Sequence, residues 1–170
     1  MRKNEAESIP RKAFELAGKY EKECTGCAQS VVAALLDAFG IQNDDVFRSA
    51  SGLADGIGLT GDGSCGALTG GSLFIGLMVG REKKDHKDMM KPMKSYLVCA
   101  ALHKDFIERY GSCRCHDIQK KIMGRTFNLL DPEDFKAAAE HKMMDHCSGV
   151  AAAAAKKAAE LLLGDRTSAR

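Results

Sequence analysis

Apolar residues recur every three or four positions along almost the whole chain, and no stretch alternates apolar with polar for long. That period restricts the polypeptide to helices burying one face against other helices. Residues 7–22 put Ala13, Leu16 and Ala17 on one face. From Thr25 to Phe39 a stripe of Cys27, Val31, Ala34, Leu35 and Ala38 ends at Gly40, a natural C-cap. Asn43 caps a helix expected over Asp44 to Ala54, and Ser64 caps one over Cys65 to Val79. Pro92 starts or kinks a helix within Asp85 to Tyr110. A short helix from Asp117 to Met123, capped by Asp117, closes at Gly124, and Asp131-Pro132-Glu133-Asp134 is a helix start with acids against the positive dipole end. The last helix is expected from His146 to Leu163, stopped by Gly164, with a mobile tail from Asp165 to Arg170. The result is an all-α, single-domain bundle of about six to eight helices over residues 1–170, a reading that three prolines and no tryptophan support.

Charge and hydropathy remove several function classes. The net charge of +2 is spread along the chain, and basic runs such as Arg81-Glu82-Lys83-Lys84 are broken by acids, so no nucleic-acid partner is expected. The most apolar run, Leu73 to Val79, is far shorter than the roughly 20 residues that cross a bilayer, so membrane insertion is not expected. The start, Met1-Arg2-Lys3-Asn4-Glu5, has no apolar leader, which predicts a cytoplasmic location. The loop from Gly56 to Gly63 has four glycines but not the Gly-Lys-Ser/Thr ending of a phosphate loop, so no nucleotide is expected; its task is to let backbone pass close to a neighbouring site. No Ser-His-Asp order or carboxylate pair selects a hydrolase, which leaves catalysis open. A homodimer is compatible with this pattern.

Seven cysteines are the chemical signal. In a reducing compartment an odd number of thiols ligates metal or does redox chemistry more readily than it forms structural bridges. Three helices are expected to begin alike, with Cys27-Ala28-Gln29-Ser30, Cys65-Gly66-Ala67-Leu68 and Cys147-Ser148-Gly149-Val150, and Cys115-His116-Asp117 leads into a fourth. Free amides and the positive helix end stabilise a thiolate there and lower its pKa. If the apolar faces behind Cys27, Cys65, Cys115 and Cys147 share one core, their sulfurs meet at one end of the bundle. Cys24 adds a C-x-x-C pair with Cys27, and Cys113 a C-x-C pair with Cys115, so both are further candidates for cofactor binding. Cys99 lies mid-helix on an apolar face and reads as core. His116 and His146 each neighbour a candidate cysteine, whereas His86, His103 and His141 sit among charges.

Cys27-Ala28-Gln29, Cys65-Gly66-Ala67-Leu68-Thr69-Gly70-Gly71, Cys115 and Cys147, taken in order, resemble the signature of the C_GCAxxG_C_C family. The resemblance runs from about Cys24 to Leu163. It implies an all-helical bacterial or archaeal protein with four signature cysteines and a redox role, related to the split-Soret cytochromes, which carry haem and a cysteine-bound iron centre. The Cys-x-x-Cys-His haem element is missing here, so haem does not carry over. Cys24 and Cys113 stand as additions beside the signature positions.

Three functions compete at these residues. Four thiolates suit an iron–sulfur cluster ahead of zinc, for electron transfer or sensing, although their spacing is dispersed. A metal-free thiol–disulfide protein would use Cys27 or Cys65 as the attacking thiolate, with Cys24, Cys115 or Cys147 resolving, and an unidentified redox partner protein. A helical interaction module would keep all of these cysteines as inert core.

Overall fold

The computed structural model describes residues 3–23 and 26–167, with side chains from 8 to 23 and from 26 to 164. Cys24, and residues 168–170 of the expected tail, lie outside the described residues. The chain is all-α, with eight α-helices and no strand among the described residues. They are α1 (Lys3–Glu23), α2 (Cys27–Phe39), α3 (Asp44–Ser49), α4 (Gly66–Val79), α5 (Met93–Tyr110), α6 (Cys115–Met123), α7 (Pro132–Glu140) and α8 (Met143–Thr167).

The expected punctuation decides most boundaries. Gly40, Gly111 and Gly124 close α2, α5 and α6 in the left-handed conformation, each donating its N–H back to the preceding turn. Asn43 accepts from the Val46 amide, and Asp131 accepts from those of Glu133 and Asp134. Pro92 stands at the N-cap of α5.

Four expectations are corrected. The helix expected over Asp44 to Ala54 stops at Ser49 and passes into a single 3₁₀ turn, Ser51–Leu53, because Ala54 is extended. Cys65, not Ser64, is the N-cap of α4, and Ser64 instead forms an isolated antiparallel bridge with Arg114. α6 begins at Cys115, two residues early; Asp117 accepts from the Ser112 hydroxyl instead of capping. α8 begins at Met143 and runs through Gly164 to Thr167. Its alanines and leucines bury a continuous stripe, which outweighs the roughly 1 kcal/mol that a mid-helix glycine costs.

α8 is the spine. It packs along α1 and touches α2, α4 and α5, while α2 lies between α1 and α4. Small residues make these approaches close: Ala13, Ala17, Ala28, Ala34, Ala151, Ala155 and Ala158 are fully buried in the main apolar cluster, with Leu35, Phe74, Ile75 and Leu102 filling the larger gaps. A second, smaller cluster of Phe127, Ala138 and Met143 holds α7 and the foot of α8. No helix among the described residues is long and apolar enough to cross a membrane.

Candidate thiol site

The starts of α2 and α4 are pressed together. A Cβ at Gly66 would collide with the Cys27 sulfur, and one at Gly70 would stand 2.5 Å from the Ala28 carbonyl oxygen. The Cys-Gly-Ala-x-x-Gly run is therefore one physical unit: two glycines four apart clear a groove on α4 that seats Cys27 and Ala28 of α2.

Cys115 arrives by a different route. The Cys65 amide donates to the Cys113 carbonyl at 2.8 Å, the Cys115 amide to Gly63 at 3.0 Å, and the His116 amide to Gly61 at 2.9 Å. These three bonds clip the head of α6 to the segment entering α4. Arg114 reinforces the clip, its Nε reaching Asp62 at 2.9 Å. Cys65 and Cys115, only 6% and 5% exposed, are thus brought side by side.

The Gly-rich loop supplies an unexpected partner. Asp55, Gly56, Ile57, Gly58 and Leu59 all have positive φ, between 45° and 71°, forming one left-handed turn. For Asp55, Ile57 and Leu59 that conformation costs about 1–2 kcal/mol each. The turn aims the buried Asp55 inward. Its amide faces the Cys27 sulfur, and its Oδ1 accepts from the Cys115 thiol at 2.9 Å and from the Gln119 amide at 2.6 Å. Gln119 is held in turn by the Phe127 amide, which donates to its Oε1 at 3.1 Å.

Cys27, Cys65, Cys115 and Cys147 all line one cavity of about 430 Å³ between the ends of α1, α2, α4 and α6 and the α7–α8 corner. Its remaining wall includes Ile118, Ile122, Leu129 and Val150, with Glu21 and Asp55 as its buried acids. Cys113 is absent from this wall and packs against the main core, giving the site only its carbonyl. Cys99 also packs against that core, its thiol facing the Ser72 carbonyl. His116 adjoins the site with a buried, unpartnered Nε2, whereas His146 stacks on His141 outside it.

Electrostatics separates the four thiols. Only Cys65 is lowered: the Cys115 thiol, then the Ala67 and Leu68 amides, stabilise its thiolate against burial. Cys115 is raised, by that same partner first, then by burial and by Asp55. The pair therefore yields its first proton readily and holds the second. Burial raises Cys27 and Cys147, reinforced by neighbouring Cys65 and Glu21. The expectation that every helix start lowers its thiol is corrected for Cys27 and Cys115, where desolvation and like charge outweigh the helix end. For Cys147 the premise fails as well, because it is the fifth residue of α8, beyond the first-turn amides.

Glu21 is the second surprise. It is 2% exposed, and burial pushes its carboxyl up to about 7, with Ser30 drawing it back and Asp55 adding to the rise. Neither Glu21 nor Asp55 was a candidate from sequence. Glu21 hides in a run of charges, Glu21-Lys22-Glu23, and Asp55 beside glycines; only Gln119, one helical turn after Cys115, had a readable position. Among the described residues, no three His, Cys, Asp or Glu side chains are arranged to hold a metal ion. The Cys115 thiol is engaged by Asp55 and Gln119.

An all-helical chain with four thiols on one buried cavity defines a class of cysteine-site protein. The model of the family described as "Putative redox-active protein (C_GCAxxG_C_C)" matches residues 25–161, and the chain belongs to that family. An uncharacterized protein of Archaeoglobus fulgidus is 34% identical over 123 residues, covering 69% of this chain and 78% of that relative. No solved structure matches the chain.

Proposed function

We propose that the protein is a two-electron thiol redox protein in which Cys65 and Cys115 are the working pair. The observation that carries this reading is their contact: a thiolate-favouring cysteine at a helix N-cap, beside a thiol that has one proton and two acceptors, Cys65 and Asp55. Oxidation joins the two sulfurs. With a small disulfide as acceptor, the Cys65 thiolate attacks one sulfur and releases the other as a thiolate. Cys115 then passes its proton toward Asp55 and attacks Cys65, which frees the second sulfur as a thiol. Two electrons and one proton leave the pair, and the acceptor disulfide becomes one thiolate, which takes its proton from solvent, and one thiol. Cys27 and Cys147, both raised, remain thiols near neutral pH and complete the wall.

The test is anaerobic purification, oxidation with a small disulfide, and mass-spectrometric mapping of alkylated cysteines. The expected result is a Cys65–Cys115 bridge that forms first and is lost in Cys65→Ser. Equal, slow labelling of all cysteines with no bridge would overturn it. Stoichiometric iron with sulfide, or zinc, protecting the four signature cysteines would replace it with the metal-binding reading.

A further inference from the structure

The cavity has more room than a disulfide needs. Its wall is mostly hydrocarbon, from Ile118, Ile122, Leu129 and Val150, and its volume of about 430 Å³ is that of a small-molecule site. Lys22, Phe135, Lys142 and Asp145 line it while remaining exposed, so they mark its rim. Two residues of the wall carry an unpaired polar atom: Glu21 Oε2 and Asp55 Oδ2, both buried, on residues 2% and 5% exposed. Buried polar atoms are nearly always hydrogen-bonded, so two on one wall point to a guest that supplies the missing partners.

The guest's chemistry follows from its surroundings. A folded protein cannot present a disulfide to sulfurs as buried as Cys65 and Cys115, so the acceptor is small. The hydrocarbon wall selects an apolar body. Burial lifts the Glu21 carboxyl to about 7, so near neutrality it carries a proton to donate, and it raises Asp55, which accepts from the Cys115 thiol and can relay that proton; both routes ask for acceptor oxygens on the guest. Resting on the dithiol reading above, we infer that the cavity binds a quinone, an apolar ring with two carbonyl oxygens, as the electron acceptor of the Cys65–Cys115 pair.

The step balances. The Cys65 thiolate adds to a ring carbon, forming a C–S bond while the electron pair moves to a carbonyl oxygen, which takes the Glu21 proton. Cys115 gives its proton through Asp55 to the second oxygen and attacks the Cys65 sulfur. The S–S bond forms, the C–S bond breaks, and its electrons stay on the ring. The quinone leaves as the hydroquinone, reduced by two electrons and two protons; the dithiol is oxidised to the disulfide, and Glu21 is left as the carboxylate.

The experiment mixes the reduced full-length protein anaerobically with one equivalent of 2-methyl-1,4-naphthoquinone, and separately with diamide. Hydroquinone is followed by absorbance and cysteines by mass mapping. One hydroquinone per Cys65–Cys115 bridge is expected. Glu21→Gln and the cavity-filling Ala138→Leu should each lower the quinone rate at least tenfold relative to the diamide rate. A bridge with diamide but none with quinone, quinone adducts spread over Cys99 and Cys113, or an unchanged rate ratio in both variants would overturn the inference while leaving the dithiol pair standing. No bridge with either reagent would instead overturn the dithiol reading.

Discussion

The two ends of the bundle are built on opposite terms. Where α1, α2, α4 and α8 cross, alanines and large hydrocarbons fill the core, and Phe39 lies against Phe74 at 5.3 Å between ring centres. At the cysteine end are found the buried polar atoms Glu21 Oε2, Asp55 Oδ2 and His116 Nε2 without a hydrogen-bond partner, together with the left-handed turn. Each unpaired buried group costs about 1–3 kcal/mol. One end supplies stability and the other consumes it, a division expected where a protein keeps a reactive site.

The contrast is broken most forcefully from the stable side. Phe74→Ala, at a fully buried ring, should cost about 4 kcal/mol in urea unfolding; a loss below about 1 kcal/mol would mean that this core is not the anchor. Next comes acidity at the other end. Because the Glu21 carboxyl titrates near 7 when folded and near 4.5 when unfolded, the folded state holds its proton more tightly. The associated stability is fully present below pH 4.5 and is lost as pH rises through 7, an amount of about 3 kcal/mol at most. Glu21→Gln should flatten that slope in unfolding measured at several pH values.

Smaller effects sharpen the comparison. Gly70→Ala forces a methyl against the Ala28 carbonyl and should cost about 2 kcal/mol by thermal or urea unfolding, since backbone cannot swing aside as a side-chain tip would. Ile57→Gly should have the opposite sign, because its side chain is 52% exposed and its φ is 70°. Relief of the left-handed strain should stabilise the protein by up to about 1 kcal/mol, read as a higher urea midpoint. Destabilisation there would mean that the turn is not strained.

The bundle was legible because its signals are local: Gly40, Gly124, Asn43 and the Asp131-Pro132 start act on their own turn. The four signature cysteines were legible for the same reason, as each carries a recognisable neighbourhood. What could not be read depends on the packed state. Whether Cys147 lies in a first or second turn is decided by how far α8 extends toward Met143 over the satellite cluster, and the direction of each thiol's pKa by what surrounds it. Asp55 and Glu21 acquire their chemistry only on burial, and nothing in a one-dimensional string distinguishes Glu21 from Glu23 beside it.

The seat of α2 on Gly66 and Gly70 has one more effect. At Gly70 main chain rests on main chain, and at Gly66 the Cys27 sulfur itself sits against bare backbone. The spacing of the Cys27 and Cys65 sulfurs is therefore set like a gauge block, largely insulated from substitutions that loosen the hydrocarbon farther along the same helices.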